Sequence, residues 1–66
     1  MENQLLRALK ARYQGEIAVA QANIEVYLKN PAGIGEHPDI VGAIDEQVAK
    51  LAEADEKLQT LSTYFD

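Results

Sequence analysis

The chain has no cysteine, no tryptophan, one histidine and two prolines among its 66 residues. Without cysteine there is no disulfide, no thiolate metal site and no thiol nucleophile. With His37 alone, a metal site would have to be built mainly from carboxylates. Basic residues are also few: six Lys and Arg against eleven Asp and Glu give a formal net charge of −5. That balance disfavours nonspecific attachment to nucleic acid or to an anionic membrane surface. The cations form no patch interleaved with aromatics. No apolar run approaches the roughly 20 residues needed to span a bilayer, and the N-terminus lacks a signal-peptide core. No Gly-rich phosphate loop, His-Glu-x-x-His pair or Ser/His/Asp set can be assembled, and no strand precedes Gly33-Ile34-Gly35. These absences lead to a non-enzymatic protein with no catalytic residue, metal or cofactor, and with no nucleic-acid or membrane partner.

What is present is apolar and helical. Hydrophobic residues make up 47% of the chain, and alanine is prominent. An all-α, folded, single domain follows. Below about 70 residues one core rarely supplies more than a few kcal/mol without a staple or a partner. With no staple available, self-association is the natural source of further burial.

Residues 2–29 read as one long helix with two apolar sides. Leu6, Leu9, Tyr13, Ile17, Ala20, Ile24 and Tyr27 step by threes and fours along one stripe. Ala8, Ala11, Gly15, Ala18, Val19, Ala22 and Val26 do the same on the far side. Polar residues are confined to two flanks, Arg7, Lys10, Gln14, Gln21 and Glu25 on one, and Arg12, Glu16 and Asn23 on the other. Alanine on an exposed face can simply reflect helix propensity. Val19, Val26 and the costly mid-helix Gly15 favour a second seam, one that admits a close partner backbone.

Asn3 is a candidate cap and Glu2 suits the helix N-terminus. Helix 1 is expected over about 3–29, with Lys29 favourable at its end and Pro31 stopping it after Asn30. A loop over about 30–37 carries Ile34 between two glycines. Ile34 is expected to plug the end of the hairpin, or, alternatively, to contact a partner together with His37. Helix 2 is expected over about 38–64, with Pro38 at its first position and Asp39 in its first turn. Its single stripe is Ile40/Val41, Ile44, Val48, Leu51, Ala54, Leu58, Leu61 and Phe65.

Two helices of about 26 residues, each about 40 Å long, joined by a short loop predict an antiparallel hairpin. One register pairs Leu6 with Leu61, Leu9 with Leu58, Ile17 with Leu51, Ala20 with Val48, Ile24 with Ile44, and Tyr27 with Ile40/Val41. It also sets Arg7, Lys10 and Arg12 beside Glu53, Asp55 and Glu56. Asp55 is expected at the seam edge, bonded to the Tyr13 hydroxyl or to Arg12. The second seam is expected to take a second copy, giving a dimeric four-helix bundle with coiled-coil character and with Gly15 and Ala18 near the two-fold axis.

Two stretches carry resemblances. His37-Pro38-Asp39 between two helices resembles the loop tripeptide of J-domain co-chaperones, which implies stimulation of a heat-shock chaperone ATPase. The Lys that follows in that family is Ile40 here, and the flanking helices are missing. The run Tyr27 to Asp45, with Asn-Pro-Ala-Gly-Ile-Gly-Glu-His-Pro at its core, resembles short uncharacterised helical proteins of tailed, T4-like marine bacteriophages and marine metagenomes. That resemblance implies a phage accessory or structural protein, in the host cytoplasm or associated with the virion, and it transfers no catalytic residue. The expected role is therefore a self-associating interaction protein, with a regulatory binder of a host protein as the alternative.

Overall fold

The computed structural model describes residues 3–30 and 39–65. They form two helices, α1 (Gln4–Lys29) and α2 (Ile40–Phe65), of 26 residues each. The chain is a rod measuring 48 × 15 × 15 Å. Asn23 meets Gln47, and Tyr13 meets Lys57. Ten residues forward in α1 therefore correspond to ten residues back in α2, so the helices are antiparallel. The all-α helical hairpin expected from the periodicity is the fold.

Each helix starts where a short polar side chain can satisfy free backbone donors. Asn3, in an extended conformation, accepts from the Leu5 N–H at 2.8 Å and the Leu6 N–H at 3.4 Å. At the other end of α1, the Asn30 N–H donates to the Val26 carbonyl at 2.9 Å. Asp39 opens α2: its carboxylate accepts from the Gly42 N–H at 2.8 Å, and its carbonyl accepts from the Ala43 N–H at 3.1 Å. So Asp39 is a cap and not, as expected, a first-turn residue. The expected start at Pro38 lies outside the described residues, and the described helix begins at Ile40. Capping explains the shift: a carboxylate one position before the helix reaches an N–H, whereas one inside it interacts only with the dipole. Gly42 belongs to the same arrangement. A Cβ there would meet Asp39 Cγ at 2.8 Å, so the small residue leaves room for the capping carboxylate.

The seam on α1 is the bulky stripe. Leu6, Leu9, Tyr13, Ile17, Ile24 and Tyr27 are half-buried, and Ala20 is 2% exposed. On α2 the facing residues are Ile40, Ala43, Ile44, Gln47, Leu51, Ala54, Leu58 and Leu61. Of the alternatives Ile40/Val41, Ile40 faces α1 and Val41 is exposed. Two expectations fail here. Val48 is 46% exposed, and Gln47 takes its place. Phe65 is 66% exposed, in the last turn of α2, where it lines the rim of a groove and not the seam. The Gln47 result has a clear cause. Ile40, Ile44, Gln47, Leu51, Ala54, Leu58 and Leu61 alternate steps of four and three, the spacing that keeps one side of a helix on its partner. That spacing overrides the polarity of one glutamine. The amide is accommodated because Asn23 Nδ2 donates to Gln47 Oε1 at 3.2 Å.

Asp39→Ala should lower the thermal midpoint by about 4–8 °C, for a cap contribution of about 1 kcal/mol in a chain of this size. Gln47→Leu should raise the midpoint by a similar amount, since it replaces a weak exposed amide pair with apolar contact. Circular dichroism melts of both variants check these two outcomes.

Candidate interaction surface

The far side of α1 is open. Ala8, Ala11, Gly15, Ala18, Val19, Ala22 and Val26 are all exposed in the single chain. Val19 and Val26, the largest of them, are 61% and 55% exposed. A Cβ added at Gly15 would touch nothing within 4 Å. The geometry that puts them there is simple: α1 has bulky residues on one side of the helix, and α2 covers that side alone.

Val19 and Gly15 also form the lip of a groove of about 470 Å³ along one flank of the hairpin. Its floor includes the buried Ala20 and Ala54, and its rim carries Arg12, Glu16, Asn23, Lys50 and Glu53. A second groove of about 450 Å³ continues it toward Leu9, Tyr13, Leu61 and Phe65 and shares Glu53 and Lys57 with it. The rim charges are paired along their own helices: Arg12 Nε lies 3.9 Å from Glu16 Oε2, and Lys57 Nζ lies 3.0 Å from Glu53 Oε1. Lys57 Nζ also sits 5.8 Å from the centroid of the Tyr13 ring, within reach of a cation–π attraction. Arg12 and Glu53 line the same groove as expected, yet the ion pairs among the described residues are these two, each within one helix.

Asp55 corrects another expectation. It is exposed, and its Oδ2 accepts from Gln59 Nε2 at 3.1 Å, one turn on. The seam position belongs to its neighbour Ala54, so Lys57 and not Asp55 reaches Tyr13. Of the possible loop contacts, Ile34 and His37 lie outside the described residues, as does Pro38. Asp39, the third member of the J-like tripeptide, has its carboxylate engaged as the α2 cap.

Lys57 has a raised pKa. The hydrogen bond to Glu53, and then the charge of Glu53, hold its ammonium above the ordinary 10.5. Among the described residues, no three of His, Asp and Glu gather where they could hold a metal ion. No described helix is long and apolar enough to cross a membrane. Nor is any polar side-chain atom among them buried without a hydrogen-bond partner. The arrangement is thus an exposed apolar face and a charge-rimmed groove, chemistry suited to packing against another helix.

No protein-family model, curated protein or solved structure matches this chain.

A group whose pKa is raised on folding stabilises the folded state below its unfolded value, and that contribution is lost as pH rises through the folded one. The stability difference between the native chain and Lys57→Gln should therefore hold steady from about pH 8 and vanish above pH 10.5. Denaturant titrations across that range check the sign.

Proposed function

We propose that this protein is a non-enzymatic, self-associating helical hairpin that pairs α1 with α1 of a second copy to form a four-helix bundle. The observation that carries this reading is the exposed second face of α1, with Val19 and Val26 in the open. The area of the chain supports it. The hairpin exposes 5248 Å². A folded monomer of 7.3 kDa exposes about 4,200 Å² on the usual scaling of area with mass. The excess, about 1,000 Å², is slightly more than one partner's share of a standard stable interface.

In this reading the bulky stripe of α1 serves its own hairpin and the small stripe serves the assembly. The likeness of Tyr27–Asp45 to short phage proteins supports an accessory or structural role for the bundle in a bacteriophage, in the host cytoplasm or on the particle. The groove beside Gly15 and Val19 favours a second reading, a regulatory binder that seats a helix of a host protein there. A purified chain that stays monomeric and only partly helical would support that second reading.

Sedimentation of Gly15→Leu tests the seam. The native chain should sediment as a dimer, with a melting midpoint that rises with concentration. The variant should sediment as a monomer at the same concentration, although leucine is the better helix former. An unchanged dimer would overturn the assignment of the seam.

A further inference from the structure

The outward face of α1 carries its charges in an order that distinguishes the two ways of pairing it. Arg7 and Glu25 are both exposed and both belong to the same flank of the second seam. They are separated by a whole number of turns, about 27 Å along the axis, so they stand at the same angle around the helix. They also lie at nearly equal distances from the midpoint between Gly15 and Ala18. A two-fold axis there, perpendicular to both helices, turns each α1 end for end while keeping the same flank on the same side. Arg7 of one copy then faces Glu25 of the other, and the pair occurs twice. A parallel pairing would instead turn this flank toward the partner's other flank, where Arg7 comes nearest Arg12, a like charge, and Glu25 comes nearest Asn23 and gains no cation.

The apolar layers agree with that axis. Reading outward from it, Gly15 meets Ala18 and Ala11 meets Ala22, with Ala8 coming opposite Glu25 and Val26. Each layer joins small residues to small or moderate ones, so the backbones can approach along the whole contact. A bulky-faced helix from an unrelated protein would be held away by its own side chains. The area exposed beyond that of a typical monomer is of the size that one such contact removes.

We infer that the occupant of this face is a second copy of the chain, docked antiparallel, with Gly15 and Ala18 at the crossing and two symmetric Arg7–Glu25 pairs fixing the register. The inference rests on the self-association proposed above and adds its direction, its register and the side chains that select them.

Because the chain has no cysteine, introduced thiols report unambiguously. Full-length Arg7→Cys and Glu25→Cys chains are mixed and treated with a short bifunctional thiol reagent, since flank positions across a helix pair lie further apart than a disulfide spans. The mixed crosslink should exceed either self-crosslink several-fold. Self-crosslinks within each variant, with no mixed product, would mean a parallel dimer and would overturn this inference while leaving self-association standing. A native chain that sediments as a monomer at all concentrations would overturn both. Charge reversal supplies the second arm. Arg7→Glu should weaken dimerisation roughly tenfold, and the double variant Arg7→Glu/Glu25→Arg should return it to within about twofold of native. Failure of the double variant to recover would overturn the pairing even if the dimer persists. Circular dichroism of each variant at low concentration should show unchanged helix content, which separates lost assembly from lost folding.

Discussion

Two helices touch along a line and cannot enclose a core, and that constraint governs the molecule. A third or fourth helix would close the seam from the side; here both grooves beside it stay open. The consequence is visible in which residues become fully covered. Among the described residues they are Ala20, Ala43 and Ala54, whose side chains fit between the axes. The larger residues of the seam reach past the line of contact and leave part of themselves in water, so Leu6, Ile17, Leu51 and Leu58 are only half-buried. A seam of this kind contributes burial along its length without removing any large side chain from solvent. The marginal stability of short chains therefore applies here with particular force.

Most of the fold was legible because spacing, and not residue type, sets which side of a helix is covered. On α1 the two coincide, since every position in the bulky stripe is apolar, and the reading holds residue by residue. On α2 they diverge at one turn, where the sequence offers Gln47 and Val48. Choosing the apolar residue breaks the alternation of four and three, and the structure keeps the alternation. The misplacement of Asp55 has a different origin: Ala54 was already the covered residue of that turn, and it is Lys57, not Asp55, that the hairpin brings to Tyr13. The helix starts were half-legible. Asn3 was recognisable as a cap because nothing competed with it. Asp39 was obscured by Pro38, whose preference for the first helical position pointed two residues too early. Gln47 and Asn23, the polar pair across the seam, had no signal beyond the period itself, and their meeting depends on a register that only the assembled hairpin fixes. The second face of α1 was legible as a face, since no single period explains two apolar stripes on opposite sides.

In the proposed assembly α1 belongs to two seams at once, and its residues divide between them by size. The bulky side chains point at α2, where their partner is fixed by the loop and is always present. The small ones point outward and are exposed in the single chain, where the proposed partner has to be met. Exchanging the two sets would leave a stripe of Leu, Ile and Tyr in water, a patch able to adhere to many apolar surfaces. Ala, Gly and Val bury little area apiece, so a casual contact with them gains little. They become favourable together only when a backbone follows them closely over several turns.

That requirement acts as a filter on partners. Close approach demands small residues on both sides, at matching intervals, with flank charges that oppose and do not repel. Any helix meeting these conditions must carry nearly the same pattern as α1 itself. A second α1, turned end for end, meets them without further adjustment, because a pattern balanced about its own midpoint is complementary to its reverse. Charge distribution between the helices points the same way. α1 holds Arg7, Lys10, Arg12 and Lys29 against Glu16 and Glu25, while five of the eight acidic residues among the described residues lie on α2. Packing α1 on α1 keeps the two acidic helices on the outside of the assembly and apart from each other, so the net charge of −5 per chain opposes association less than its size suggests.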